Sequence, residues 1–268
     1  MKTIRADAKS TSDFAPGSCD DLEVHPAASL AELHVAYQLV YANYVRRGYI
    51  SENTARMRFS LFNIVPHAIT FVALHQGEVI ATVSVIPDTP IGLPMDEIYR
   101  PELDALRREG RKLAEVTMLA DRRLSMRRSF PVVLLLMKQV FDDVTLFLKA
   151  NDCCITINPH HLRFYRDFLL FEPIGPERSY PSVENNPALA LSLNLDTVKD
   201  RYSRVPRLWE RFYQDRTPHS TFGNRYHMSC RDIEALCAGT GAVDAAPPGL
   251  LDILQQTYPE CRWPRSQE

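Results

Sequence analysis

The chain has 268 residues, of which 45% are hydrophobic and 24% charged, with a formal net charge of −2. That length suits one large domain with an extension, the composition is ordinary for a chain that buries a core, and the near-neutral charge excludes a polyanion binder as a whole. The six cysteines are scattered, and no Cys-x-x-Cys pair or Cys/His set has zinc-ligand spacing, so no metal site is expected. No apolar run is long enough to cross a bilayer and the N-terminus lacks an apolar signal core, which points to a reducing, cytoplasmic compartment.

Residues 1–21 are small and polar and read as a loose tail. DLEVHPA is a short strand. From Ser29, the residues Leu30, Leu33, Tyr37, Val40, Tyr41 and Tyr44 recur at helical spacing, with Gly48 as a stop. A second, more polar helix is expected over Glu52–Phe62. TFVALHQGEVIATVSVIPD reads as a hairpin turning at Gln76–Gly77, followed by a turn-rich DTPIGLPMD and a helix with a break near Pro101. KLAEVTMLAD is the third main strand, and Glu115 is an acid set inside its apolar run. The loop behind it is basic, with Arg122, Arg123, Arg127 and Arg128. Ser129 is the expected N-cap of a long central helix, with Pro131 in its first turn.

CCITINP is a short buried strand, in which Cys153 and Cys154 read as small hydrophobes. HHLRFYRDFLLF is helical and ALALSLNLD a last strand. Strands alternating with helices in this half predict parallel pairing through right-handed crossovers. The hairpin makes the sheet mixed. Beyond residue 195, a helix interrupted at Pro206 and short helices near Arg231–Cys237 and Gly249–Thr257 form a helical appendage. The expected organisation is therefore a tail over 1–21, an α/β domain over 22–195 and a helical extension over 196–268.

This order is similar to the GNAT acyltransferase fold, and local motifs agree. INPHHLRFYRDFLLFEPIG resembles the late GNAT segment at Asn158, Tyr165 and Phe171–Gly175. YQLVYANYVRRGYI and the long block from Val79 to Ala120 narrow the likeness to the N-acyl amino acid synthases. That family includes N-acyl tyrosine synthases and is related to acyl-homoserine lactone synthases. The resemblance covers residues 22–195 and implies a mixed central sheet flanked by helices. It also implies transfer of a long-chain fatty acyl group from acyl carrier protein to the α-amino group of an amino acid.

Two departures shape the expectation. A GNAT enzyme that uses acetyl-CoA has a glycine-rich loop after the central strand, whose amides hold the pyrophosphate. Here that loop is ADRRLSMRRSF, without glycine. Forked arginine donors suit the single phosphate and acidic surface of an acyl carrier protein, so the donor is expected to be acyl-phosphopantetheine on that carrier, with no permanently bound cofactor. Met118 stands where lactone synthases tend to carry arginine, three residues after the strand glutamate. The remaining alternatives are a lactone-type or other amine acyltransferase, and a non-catalytic acyl-carrier-binding module.

The resemblance places the base at Glu115, whose alternative is a structural pair with an arginine such as Arg111. It places the acid for the leaving thiolate at Tyr165, which helical spacing reads equally as core. Amides near Thr117, Met118 and Leu119 would polarise the thioester carbonyl. Asn158 would contact pantetheine or cap the next helix. Arg122, Arg123, Arg127 and Arg128 would dock the carrier or simply be solvated. Arg107 or Arg111 would hold the substrate carboxylate, and Tyr37, Tyr41, Tyr44 and Phe62 would roof the acyl chain or pack as core. The adjacent His160 and His161 point to different faces, so no metal is assigned to them.

Overall fold

The computed structural model describes residues 22–122, 126–214 and 226–263, and of 126–129 the backbone alone. The expected tail and Arg123 therefore lie outside the described residues, as do the side chains of Arg127 and Arg128. Strands β1 (Leu22–Pro26), β2 (Ile69–His75), β3 (Glu78–Pro87), β4 (Leu113–Asp121), β5 (Asp152–Ile157), β6 (Glu172–Pro173), β7 (Arg178–Tyr180) and β8 (Asn186–Asn194) form an eight-stranded sheet. The order is β1-β2-β3-β4-β5-β8-β6, with β7 also against β8. Gln76 and Gly77 both take positive φ, 53° and 78°, which suits the two-residue turn between β2 and β3.

Helix α1 (Leu30–Arg46) begins at Ser29, whose hydroxyl accepts the Glu32 amide hydrogen at 3.2 Å, and the chain leaves it through Gly48 at φ 65°. Helix α2 (Asp96–Arg108) is kinked at Tyr99, just ahead of Pro101. Helix α3 (Met126–Asp142) starts three residues before the expected cap at Ser129, because nothing between Met126 and Phe130 opposes a helical turn. Pro131 consequently lies inside the helix. The sheet separates two apolar layers. Helices α1 and α2 pack on one face with Val72, Ile86, Leu113 and Cys154, while α3 packs on the other with Phe71, Val85, Ala114 and Cys153. Burial pushes the Cys153 thiol up to about 12, consistent with an inert buried side chain.

Two expectations are corrected. Residues 52–62 do not form a helix, and only Leu61–Ile64 make a short 3₁₀ turn, capped by Ser60. The Asn53 amide bonds the Met57 backbone in both directions, at 2.8 and 3.3 Å, and Arg56 takes φ 50°. Such local side-chain bonds compete with a helical ladder. Parallel pairing is also confined to β4 and β5, since β8 runs antiparallel to β5. Helix α3 supplies the crossover between β4 and β5. The connection from β5 to β8 holds a short irregular helical run at 159–168 and the short strands β6 and β7 in place of a long crossover helix, so the chain turns back instead of crossing.

The C-terminal part packs on both faces. Helices α4 (Val198–Ser203) and α5 (Pro206–Trp209) place Val198, Tyr202 and Leu208 in the α3-side layer. Helices α6 (Cys230–Cys237) and α7 (Leu250–Thr257) place Ile233, Leu236, Leu250 and Leu254 in the α1-side layer. Cys230 and Cys261 form a disulfide across a separation of 31 residues. The scattered spacing did not suggest that bridge, and it stands apart from the expected reducing compartment. Changing both cysteines to serine is expected to ease opening of the 226–263 lobe by about 3 kcal/mol, from the loop-closure entropy released, read as faster hydrogen exchange in α6 and α7. No helix among the described residues is long and apolar enough to cross a membrane.

Candidate active site

The parallel ladder joins Leu113–Val116 to Asp152–Ile155 and stops there, although β4 continues to Asp121 and β5 to Ile157. The antiparallel ladder on the other side of β4 slips at the same place. Ser84 faces Thr117 but Thr82 faces Ala120, so Met118 and Leu119 together oppose Val83. Met118 takes a φ of 55°, uncommon for a residue with a side chain. A bulge of this kind re-aims the strand. It leaves the Thr117–Leu119 backbone beside a gap between two diverging strands.

Glu115 sits one step before that gap and is only 2% exposed. Strand alternation explains its placement, because Ala114 and Val116 enter the α3-side layer while Glu115 shares the opposite face with Leu113. Its Oε2 accepts the Met95 amide hydrogen at 2.8 Å, where the chain enters α2. The loop leading to that amide is tight. Gly92 has φ 99°, and a Cβ on it would lie 2.2 Å from Asp96 Oδ2. Burial raises the Glu115 carboxyl to about 8, with the Met95 amide opposing and nearby Asp96 adding to the rise. Arg111 does not pair with it. That guanidinium is engaged with Asp152, with Asp196 at 3.2 Å, and with the Asn151 carbonyl at 3.1 Å.

A cavity of about 530 Å³ opens over this face. Glu115, Thr117 and Met118 form its floor, and Thr156, Ile157 and Asn158 line it at the end of β5. Tyr44, the 58–63 segment, Leu93, Pro94, Tyr180 and Ser182 form the sides. Three buried polar atoms in this lining have no hydrogen-bond partner: Arg58 Nε, Asn63 Nδ2 and Thr156 Oγ1. Buried polar groups are normally satisfied. Arg58 donates from Nη2 to the Ser182 carbonyl at 3.3 Å, and no carboxylate pairs with it among the described residues.

The expected site residues divide into those the fold brings together and those it does not. Glu115, Thr117, Met118, Asn158, Tyr44 and Phe62 all line the cavity. Asn158 also caps the following turn, its side chain accepting the His160 amide hydrogen at 3.2 Å. Leu119, Tyr37, Tyr41 and Tyr165 are not among the lining residues. Tyr37 is core, bonded to Thr70 at 3.2 Å. Tyr165 packs edge-on against Phe164 and Phe171, and burial pushes its hydroxyl up to about 12. Arg107 is held by three acids. It bonds Asp88 at 2.7 and 2.9 Å, Asp96 at 2.6 and 2.8 Å and Asp104 at 2.7 Å. Arg122 is exposed and pairs with Glu78 at 2.9 Å, a surface contact of small value.

The sequence pattern did not single out Arg58, Asn63, Thr156, Tyr180 or the stretch from Thr240 to Leu250, which also lines the cavity. Thr156 follows the alternation of β5 and was in principle legible. Arg58 was hidden in the helix expected over 52–62, and Asn63 lies one residue beyond it. Thr240–Leu250 approaches only through tertiary packing.

A splayed parallel pair with a bulge beside it, in a mixed sheet covered by helices on both faces, is the GNAT-type acyltransferase fold. The family profile of the N-acyl amino acid synthase FeeM matches residues 35–194, more than half of the chain. The chain belongs to that family of N-acyl amino acid synthases. The structure of FeeM, from uncultured soil microbes, is 32% identical with a TM-score of 0.58, covering 67% of this chain and 93% of that one. The acyl-homoserine lactone synthase BjaI is 17% identical with a TM-score of 0.49, covering 69% of this chain and 90% of its own. An acyl-CoA N-acyltransferase from Pseudomonas aeruginosa is 15% identical with a TM-score of 0.45, covering 64% and 98%. No curated protein sequence matches the chain.

Proposed function

We propose that the protein transfers a long-chain fatty acyl group from acyl carrier protein to the α-amino group of a free amino acid. The observation that carries this reading is one cavity holding a buried, proton-accepting carboxyl at the strand gap and a guanidinium without a carboxylate. The acyl-pantetheine arm lies in the gap between β4 and β5, its carbonyl against the bulged Thr117–Leu119 backbone. The amine nitrogen attacks that carbonyl carbon and the carbon–sulfur bond breaks. Glu115 takes the amine proton, directly or through water, and returns it by the same route to the departing sulfur, which leaves as a thiol. Arg58 suits the substrate α-carboxylate by charge and by its forked donors. The glycine-free loop after β4, with Arg122 at its start, favours a carrier protein over a CoA pyrophosphate.

The deciding assay offers acyl carrier protein thioesters and acyl-CoA thioesters against a panel of amino acids and their decarboxylated amines. N-acyl amino acids formed from the carrier thioester are the expected product. Turnover with CoA thioesters alone would overturn the carrier assignment, and turnover of amines without regard to a carboxylate would overturn the amino acid. Binding of the acyl carrier without any turnover identifies a binding module instead. Arg58→Met is expected to raise KM for the amino acid about 10-fold or more, the worth of a charge-assisted hydrogen bond, and to remove the preference over the decarboxylated amine.

A further inference from the structure

We infer that the segment from Thr240 to Leu250, outside the family-matched residues 35–194, is the size selector of the cavity. It meets the apolar end of the bound ligand and limits its length. The inference rests on the acyl-transfer reading for the identity of that ligand. The cavity's polar groups named so far come from other elements. The segment contributes Gly241, Ala242, Ala245, Ala246 and Leu250, and the hydroxyl of Thr240 is turned back onto the Cys237 carbonyl at 2.8 Å. This wall is therefore apolar and, Pro247 and Leu250 apart, made of small side chains. Phe59, Leu61 and Leu93 also line the cavity.

The wall is held from several sides. The Gly239 carbonyl accepts from Thr54 Oγ1 at 3.2 Å and from the Ala55 amide at 3.4 Å. Gly249, at φ 83°, lies so close to Ile91 that a Cβ would come within 2.9 Å of its Cγ2. Helices α6 and α7 sink Leu236 and Leu254 into the core on either side of the segment, and the Cys230–Cys261 disulfide ties their outer ends together. A fixed apolar wall distinguishes ligands that differ by single methylenes, each worth roughly 10- to 200-fold in specificity. The chemistry it selects is an apolar chain, whether the acyl tail or the side chain of the acceptor.

Ala246→Phe and, at an exposed lining position, Ala245→Leu test this on the full-length protein. One panel varies thioester chain length with a single amino acid, and the other varies the amino acid from glycine to tryptophan with a single thioester. In one panel the ratio of kcat/KM for the largest ligand over the smallest is expected to fall about tenfold or more. The panel that responds names the source of the chain. Ratios unchanged within about twofold in both panels, in a variant that melts like the wild type, would overturn the inference. If Ala246→Phe does not fold, the ratios measured with Ala245→Leu decide between these outcomes. If the wild type turns over no thioester, the functional reading has failed separately. Calorimetric binding of N-acyl amino acids of stepped length then reads the wall, whose loss of length dependence in the variants is the supporting result.

Discussion

Replacing Glu115 by glutamine is expected to lower kcat by about 10²- to 10⁴-fold, the usual contribution of a positioned general base. The same change is expected to make the folded protein more stable at neutral pH. Glutamine keeps an oxygen for the Met95 amide, 2.8 Å from the carboxylate in the wild type, and keeps the shape of the side chain. What it removes is an ionisation that burial opposes.

The sign follows from the shift of the carboxyl from 4.5 to about 8. Between those values the folded chain holds the proton and the unfolded chain has released it. The contribution of Glu115 is thus fully present below about 4.5 and is lost as pH rises through about 8. The glutamine variant lacks this dependence. Its advantage grows over the same window and is on the order of 3 kcal/mol at pH 7. Denaturant melts at pH 5, 7 and 8.5 measure it. The wild-type rate should climb with pH toward a plateau above about 8 as the carboxyl ionises, and the variant should lose that limb. A variant equally active, or one whose stability tracks the wild type across pH, would remove Glu115 from its role.

Arg107→Met is expected to destabilise the fold by about 3–5 kcal/mol, because it strips buried Asp96 of its nearest cation and leaves only the exposed Arg100 at 4.0 Å. Asp96 is 5% exposed and reaches Arg107 at 2.6 Å, so its charge is poorly solvated once the guanidinium is gone. For a chain of this size the loss lowers Tm by on the order of 10 °C. The same cluster fixes the entry to α2, since Asp96 Oδ2 also accepts the Leu93 amide two residues before the Met95 amide that holds Glu115. The preference for an amino acid over its decarboxylated amine should survive in this variant below its transition. Its loss with an intact fold would move the carboxylate site from Arg58 to Arg107.

Much of the fold was legible because it depends on short-range pattern. The alternation of β4, the Gln76–Gly77 turn, the Ser29 cap and the 3.6-residue spacing of α1 each act within one or two turns of chain. Glu115 stood out for the same reason, as a charge on a strand whose neighbours are all apolar. The expected helix over 52–62 failed because the Asn53 side chain bonds the Met57 backbone and the Ser60 hydroxyl accepts the Phe62 amide hydrogen, a local competition that apolar spacing does not register. That Arg107 and Arg111, expected as substrate ligands, are paired with acids was not legible, because those acids come from distant positions. Asp88, Asp96, Asp152 and Asp196 are brought there by strand and helix packing.

The sequence by itself determined the class of sheet, the family resemblance and the strand position of Glu115, since periodicity and local motif carry all three. Only the tertiary structure decided which cations face the cavity, where β4 and β5 part, and that a C-terminal lobe closed by a disulfide walls the site. Those features depend on contacts between residues far apart in the chain, whose geometry is set when two apolar layers pack against one sheet.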